Sequence, residues 1–232
     1  MIRNTHQAAK AATPPRFRGR FAYSRAELIA DGVVHAVGIV LAIAAGAALL
    51  ALSAFHAEPG EYVAAIFYVA SLLTVLSVSL AYNMWPPTPA KWILRRFDHA
   101  AIYLLIAATY TPFLVQLDDP AAAGWMIVIV WGAAAAGMSI KLFLPGRYDR
   151  LAVVFYLAIG WSGVVILQPL LQALPASTLT LIVAGGIVYS LGVAFFAWTG
   201  LRFQNAVWHG FVVAGAGLHF AAVLDSLVLT RL

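Results

Sequence analysis

The chain has 232 residues, of which 63% are hydrophobic and 10% charged, and its mean hydropathy is +0.89. A soluble domain is about half apolar and about a quarter charged, so this composition belongs to a membrane protein. The lack of cysteine excludes disulfides, thiolate metal sites and cysteine nucleophiles, and the net charge of +5 comes from basic residues set between apolar runs, a pattern of membrane orientation rather than of nucleic-acid binding.

Residues 1–25, "MIRNTHQAAKAATPPRFRGRFAYSR", hold six Lys/Arg, two adjacent prolines and no acid. No apolar core follows a short basic start, so the segment reads as a disordered basic cytoplasmic tail and not as a signal peptide. Residues 26–232 carry seven apolar runs, near 29–55, 62–84, 100–117, 123–144, 151–172, 178–200 and 206–229. About 20 residues of helix cross about 30 Å of hydrocarbon, so the expected fold is an all-α integral membrane bundle of seven transmembrane helices. The breaks between the runs, such as "HAEPGE", "PPTPAKWILRRFD" and "PGRYDR", are rich in Pro, Gly and charge.

The basic residues are sorted by side. The tail holds six, the second–third connection Lys91, Arg95 and Arg96, the fourth–fifth Lys141, Arg147 and Arg150, and the sixth–seventh Arg202, against Arg231 alone on the other side. A bias of 13 to 1 places the N-terminus in the cytoplasm and the C-terminus outside. No internal repeat marks an inverted-repeat transporter.

Polar groups inside a span are costly, and here they gather at one depth. Glu27, Asp31 and His35 are spaced by four on the first helix and share a face. Ser79 and Asn83 close the second helix, Asp98 and His99 open the third, and Asn205 and His209 open the seventh, all at the expected inner boundary. This set suits a metal site or an acid–base hydrolase. It equally suits capping and interhelical hydrogen bonds that do nothing else. The fourth to sixth helices carry small residues ("GAAAAGMS", "AGGIVYSLG") that allow close packing.

Four stretches carry a resemblance: "RRFDHAAIYLLIAATYTPF", "AELIADGVVHAVG", "GMSIKLFLPGRYDRLAVVFYLAIGW" and "NAVWHGFVVAGAGLHF". In order along nearly the whole chain, they resemble the haemolysin III family, the bacterial branch of the progestin and adipoQ receptor superfamily. The resemblance implies a cavity with a Zn2+ ion near the cytoplasmic side of a bacterial inner membrane. It implies catalytic roles for Ser79 and Asp98, metal-ligand positions at Asn83, Asn205 and His209, and a membrane lipid or fatty-acyl group as the partner. His35 and His99 are further candidate ligands.

The chain departs from the family pattern, because two of the three ligand histidines are asparagine and Asp31 stands where asparagine is usual. An amide oxygen is a weaker zinc donor than imidazole, so this protein is expected to bind zinc much more weakly than its three-histidine relatives and to be isolable without it. Relatives are thought to act as zinc-dependent hydrolases of ceramide-like lipid amides, and bacterial members as regulators of membrane fluidity. The alternative is a non-catalytic lipid-binding or lipid-sensing protein. Pore formation ranks last, because the spans show no amphipathic stripe for a wet channel. The orientation is testable with single cysteines, which meet no background in this chain. Glu58→Cys and Asp119→Cys should react with a membrane-impermeant thiol reagent applied from outside intact cells; labelling only after the cytoplasm is opened would reverse the assignment.

Overall fold

The computed structural model describes residues 23–232, so most of the expected basic tail lies outside the described residues. Eight α-helices follow: α1 Arg25–His56, α2 Pro59–Met84, α3 Pro89–Leu114, α4 Pro120–Phe143, α5 Asp149–Gly160, α6 Leu167–Ala173, α7 Ala176–Ala197 and α8 Gln204–Leu227. A 3-10 turn, Ser162–Ile166, joins α5 to α6, so these three pieces act as one broken span. No strand occurs among the described residues. The seven expected spans correspond to seven such segments, and six of them are long and apolar enough to cross a membrane by length and composition.

The exception is α3. It starts at Pro89, about one membrane leaflet's worth of helix before its apolar run, so "PAKWILRRFD" is helical rather than a connection. Lys91, Arg95 and Asp98 are buried along this first part, held by partners on other helices. Local chemistry explains the starts. Proline occupies the first turn of α2, α3 and α4, where a missing N–H costs nothing. Ser24 and Glu27 form a reciprocal capping box on α1, and Asp119 accepts the N–H groups of Ala121 and Ala122 on α4. The fifth span breaks because Pro169 lacks the N–H that would continue the helix ladder. The break is tied down by Tyr110, whose hydroxyl lies 2.7 Å from the Gly160 carbonyl and accepts the Gly163 N–H at 2.9 Å.

The helices α1, α2, α3 and α4 pack in chain order, while α8 lies against both α7 and α1 and so brings the two ends of the bundle sequence together. One apolar core, including Leu49, Tyr68, Leu72, Val223 and Leu227, joins α1, α2, α3 and α8. A second, including Tyr103, Leu114, Met126, Val130 and Ile159, joins α3, α4 and α5. Side chains such as Val40, Leu41, Val128 and Val183 are exposed on the outer faces, where hydrocarbon would solvate them. At the end of the bundle opposite the polar cluster, Arg231 grips Glu61 through two hydrogen bonds of 2.6 and 2.8 Å and a third group, the Gln116 side chain, at 3.2 Å.

The contact between α7 and α8 rests on exchanged rings. The imidazole of His219 lies on the backbone of Gly185, and the phenol of Tyr189 lies on the backbone of Gly215. A Cβ at Gly185 would come within 2.4 Å of the His219 ring. Gly185→Ala should therefore destabilise the protein by about 1–3 kcal/mol, the usual cost of overpacking. Gly132→Ala, where nothing lies within 4 Å of the added carbon, serves as the control and should leave the melting temperature unchanged or raise it. Thermal unfolding in detergent checks both, and equal melting temperatures would contradict the exchange.

Candidate metal and acid–base site

Four helices contribute polar side chains at one end of the bundle. Asp31 lies two turns into α1, and His35 follows one turn later on the same face. The chain enters α8 through Phe203, whose left-handed backbone (φ 60°) turns it sharply from the α7 connection. Two turns further His209 meets Asp31, Nδ1 to Oδ1, at 2.6 Å. This is a short, charge-assisted contact between helices distant in sequence. The ring of His209 also stands edge-on to that of His35, with centroids 4.3 Å apart.

His35 is oriented at both nitrogens. Its Nδ1 lies 2.9 Å from the Asp31 carbonyl and its Nε2 lies 3.1 Å from the Ser79 hydroxyl. A carbonyl only accepts, so Nδ1 carries the proton and Ser79 donates to Nε2. Asn83 donates to Ser79 in turn, at 2.9 Å to the carbonyl and 3.3 Å to the hydroxyl. Asp98 is buried, and its carboxylate interacts with Ser79, His209 and Arg95. The ring of His99 stands edge-on to that of Tyr82 on α2, with Nε2 3.9 Å from the Asp98 carboxylate, and the His99 carbonyl accepts the Tyr156 hydroxyl of α5.

Asn205 lies nearer the surface. It lines a cleft with Tyr23, Glu27, Asp31, Phe203 and Gln204. The cleft has about 10 Å3 open to a water-sized sphere, room for about one water. At its mouth Glu27 accepts the Phe203 N–H at 3.2 Å and so joins the start of α1 to the start of α8. The expected positions thus divide into three: Ser79, Asn83 and Asp98 in one hydrogen-bonded region, His209 against Asp31 and His35, and Asn205 in the cleft above them.

Asp31, His35 and His209 each offer one donor atom, and these atoms all lie within 4.8 Å of one another. One carboxylate and two imidazoles form a donor set that zinc takes in catalytic sites, so these residues fit the ion. Reading the chain by matching positions counts only one good donor, His209. The fold supplies two more, because α1 packs beside α8.

Lys91 is the residue that sequence reasoning missed. It counts there as a loop charge, yet it is only 4% exposed. Its ammonium donates to the carbonyls of Asn83 (3.0 Å) and Trp85 (2.9 Å), so it closes the C-terminus of α2 and fixes the turn that bears Asn83. Three prolines just upstream, Pro86, Pro87 and Pro89, hint at a sharp return of the chain but not at where the lysine goes.

Taken together, these features define a multi-pass integral membrane protein of helical-bundle type with a buried carboxylate–imidazole site at one end. The comparisons give the family. The chain matches the haemolysin-III-related family over residues 25–220 and belongs to it. It is similar to the Hemolysin-3 homolog of Bacillus subtilis, 36% identical over 85% of this chain and 93% of the relative, and to Hemolysin-3 of Bacillus cereus, 37% identical over 85% and 90%. It is also 29% identical to the human monocyte to macrophage differentiation factor, over 88% of this chain and 86% of the relative. No solved structure gave a significant match.

Beside the site, Asp149 at the start of α5 joins Arg95 of α3 (2.8 Å) and Lys141 of α4 (3.0 Å). Burial alone would favour the protonated acid, but Arg95 and then Lys141 outweigh it and hold the carboxyl at about 2. A folded-state value below the unfolded one adds stability above about pH 4, and that stability disappears as pH falls through about 2. Asp149→Asn should therefore lower the melting temperature at pH 7, with the gap between variant and parent closing on acidification below about pH 4. A gap independent of pH would show that the ionised carboxylate is not what joins these helices.

Proposed function

We propose that this protein is a metal-dependent hydrolase of lipid amide bonds, of the haemolysin III and progestin–adipoQ receptor type, serving membrane-lipid homeostasis in a bacterial inner membrane. The observation that carries the reading is the convergence of Asp31, His35 and His209 beside Ser79 and Asp98. The basic bias of the sequence supports a cytoplasmic position for this end of the bundle.

In this reading Asp31, His35 and His209 would hold a zinc ion, which when bound would supply Lewis acidity toward an acyl oxygen and lower the pKa of a water. An ion at these atoms would replace the Asp31–His209 contact and the Ser79 hydrogen bond to His35 Nε2, while the Asp31 carbonyl at Nδ1 would still set the plane of His35. Asp98 would take a proton from the attacking water, and the Ser79 hydroxyl, released from His35 by the ion, would donate to the acyl oxygen or to Asp98. Burial keeps these charges effective, since little bulk water screens them. Glu27 and Phe203 stand at the cleft through which a headgroup would approach.

A second reading, a lipid-binding or lipid-sensing protein without catalysis, draws support from the cleft itself. Space for one water does not admit an acyl chain without helix movement. Metal content and hydrolysis separate the two. Protein purified without chelators should carry about one zinc per chain, and Asp31→Asn or His209→Ala should lose most of it. Ser79→Ala and Asp98→Asn should keep the metal but lower hydrolysis of a short-chain ceramide by about 10²–10⁴-fold, the range of a lost acid–base group. A parent protein with neither bound metal nor hydrolysis would overturn the enzyme and leave the lipid-binding reading.

A further inference from the structure

Positive charge is left over where α4 passes into α5. Residues 144–148 run between two spans of membrane length, so they lie at the membrane surface. Gly146 (φ 77°) and Tyr148 (φ 59°) both take the left-handed region, which folds this connection tightly. The Arg147 N–H donates to the Leu144 carbonyl at 3.2 Å, a turn that keeps the two Cα atoms within about 7 Å. From α3, Arg96 reaches the same place, where its guanidinium donates to the Leu142 carbonyl at 3.4 Å. That carbonyl belongs to the last turn of α4, the negative end of the helix dipole. Two arginines from different helices are thus anchored at residues only two apart in the chain.

The acid of this region is already used. Asp149 divides its two carboxylate oxygens between Arg95 (2.8 Å) and Lys141 (3.0 Å), both of them buried. Arg96 and Arg147 are exposed, and among the described residues neither has a carboxylate partner. Of the five N–H groups that a guanidinium offers, Arg96 gives one to Leu142, and the side chain of Arg147 gives none to a described residue. Around them Phe97, Phe143, Leu144 and Tyr148 are exposed, Phe143 to 79%. The exposed Arg202, on the connection from α7 to α8, differs: it lies over the Phe203 ring, 5.0 Å from its centre, and acts on the Glu27 carboxylate.

Two uncompensated guanidiniums beside exposed aromatic rings, at the level where hydrocarbon meets water, match a compact anion attached to an apolar body. We infer that Arg96 and Arg147 bind the headgroup phosphate of an anionic phospholipid on the outer rim of the bundle, where α3 meets the connection from α4 to α5. Guanidinium recognises phosphate through paired, charge-assisted N–H···O bonds. A soluble phosphate would meet the two charges but leave the rings uncovered. The acyl chains stay in the surrounding bilayer, outside the helices, so selectivity lies in the charge of the headgroup.

The test is lipid binding alone and needs neither metal nor hydrolysis, so it fails or succeeds separately from the enzyme reading. Full-length protein in uncharged detergent is titrated with dioleoyl phosphatidylglycerol and with dioleoyl phosphatidylcholine, and lipid held per chain is read by native mass spectrometry. The two lipids share their acyl chains and differ in net charge. An arginine near a membrane surface changes the binding of an anionic lipid by about fivefold, so the parent should favour phosphatidylglycerol by about thirtyfold. Arg96→Gln and Arg147→Gln should each lower that preference by about fivefold while phosphatidylcholine binding stays the same, the sign of an intact fold. Arg202→Gln should leave the preference in place. Glycerol 3-phosphate, which carries the phosphate without the chains, should not displace the lipid. A parent without preference, a preference that survives both glutamine variants, or an equal loss in Arg202→Gln would overturn the site. Full displacement by glycerol 3-phosphate would overturn its assignment to a lipid.

Discussion

A polar group carried into hydrocarbon has no water to turn to, and the arrangement of this bundle follows from that constraint. Its polar side chains are not spread along the helices. Most sit in two end layers, each tied across helices. At one end Asp31 meets His209, His35 meets Ser79, and Arg95 and Lys141 share Asp149. At the other, Arg231 grips Glu61 and Gln116, while Ser177 and Thr178 donate to Asp225. Between the layers a few interhelical hydrogen bonds, such as those of Tyr110 with Gly160 and Trp131 with Thr111, add to shape. There, close approach at glycine and the interlocked rings of Tyr189 and His219 take over.

The same constraint gives the Asp31–His209 contact its weight. A carboxylate this deeply buried is tolerated only with a partner of opposite charge or strong hydrogen-bonding power. That partner comes from the last helix, so the polar pair also fixes how α8 seats against α1. Assembly of the bundle and assembly of a metal-competent donor set are one event. The cationic Lys91 does comparable work on the α2 side, since the carbonyls it caps belong to the turn that carries Asn83. Structural and chemical roles in this layer therefore cannot be assigned to separate residues.

Much of this was legible in the chain. Apolar runs of membrane length marked the helices, and prolines, acids and glycines marked most of their ends. The four-residue spacings of Asp31 with His35, Ser79 with Asn83, and Asn205 with His209 placed each pair on one helix face. The common depth of these pairs followed from counting residues inward from the charged ends. What misled was α3, because a stretch with Lys91, Arg95, Arg96 and Asp98 looks like a solvated connection when read alone. Its charges are admissible in a helix only because Asp149, α2's last carbonyls and the polar site neutralise them.

Sequence by itself determined the class of the fold, the number of helical segments and the set of residues from which a site had to be drawn, because hydropathy and helical periodicity act locally. Tertiary structure alone decided which of those residues meet. Matching positions pointed to Asn83, Asn205 and His209, whereas packing of α1 against α8 gathered Asp31, His35 and His209 and left Asn205 in the cleft. The register between two helices separated by well over a hundred residues depends on ridges, glycines and interlocked rings along their whole length. No local pattern records that register, so the identity of the donor set emerged only with the fold.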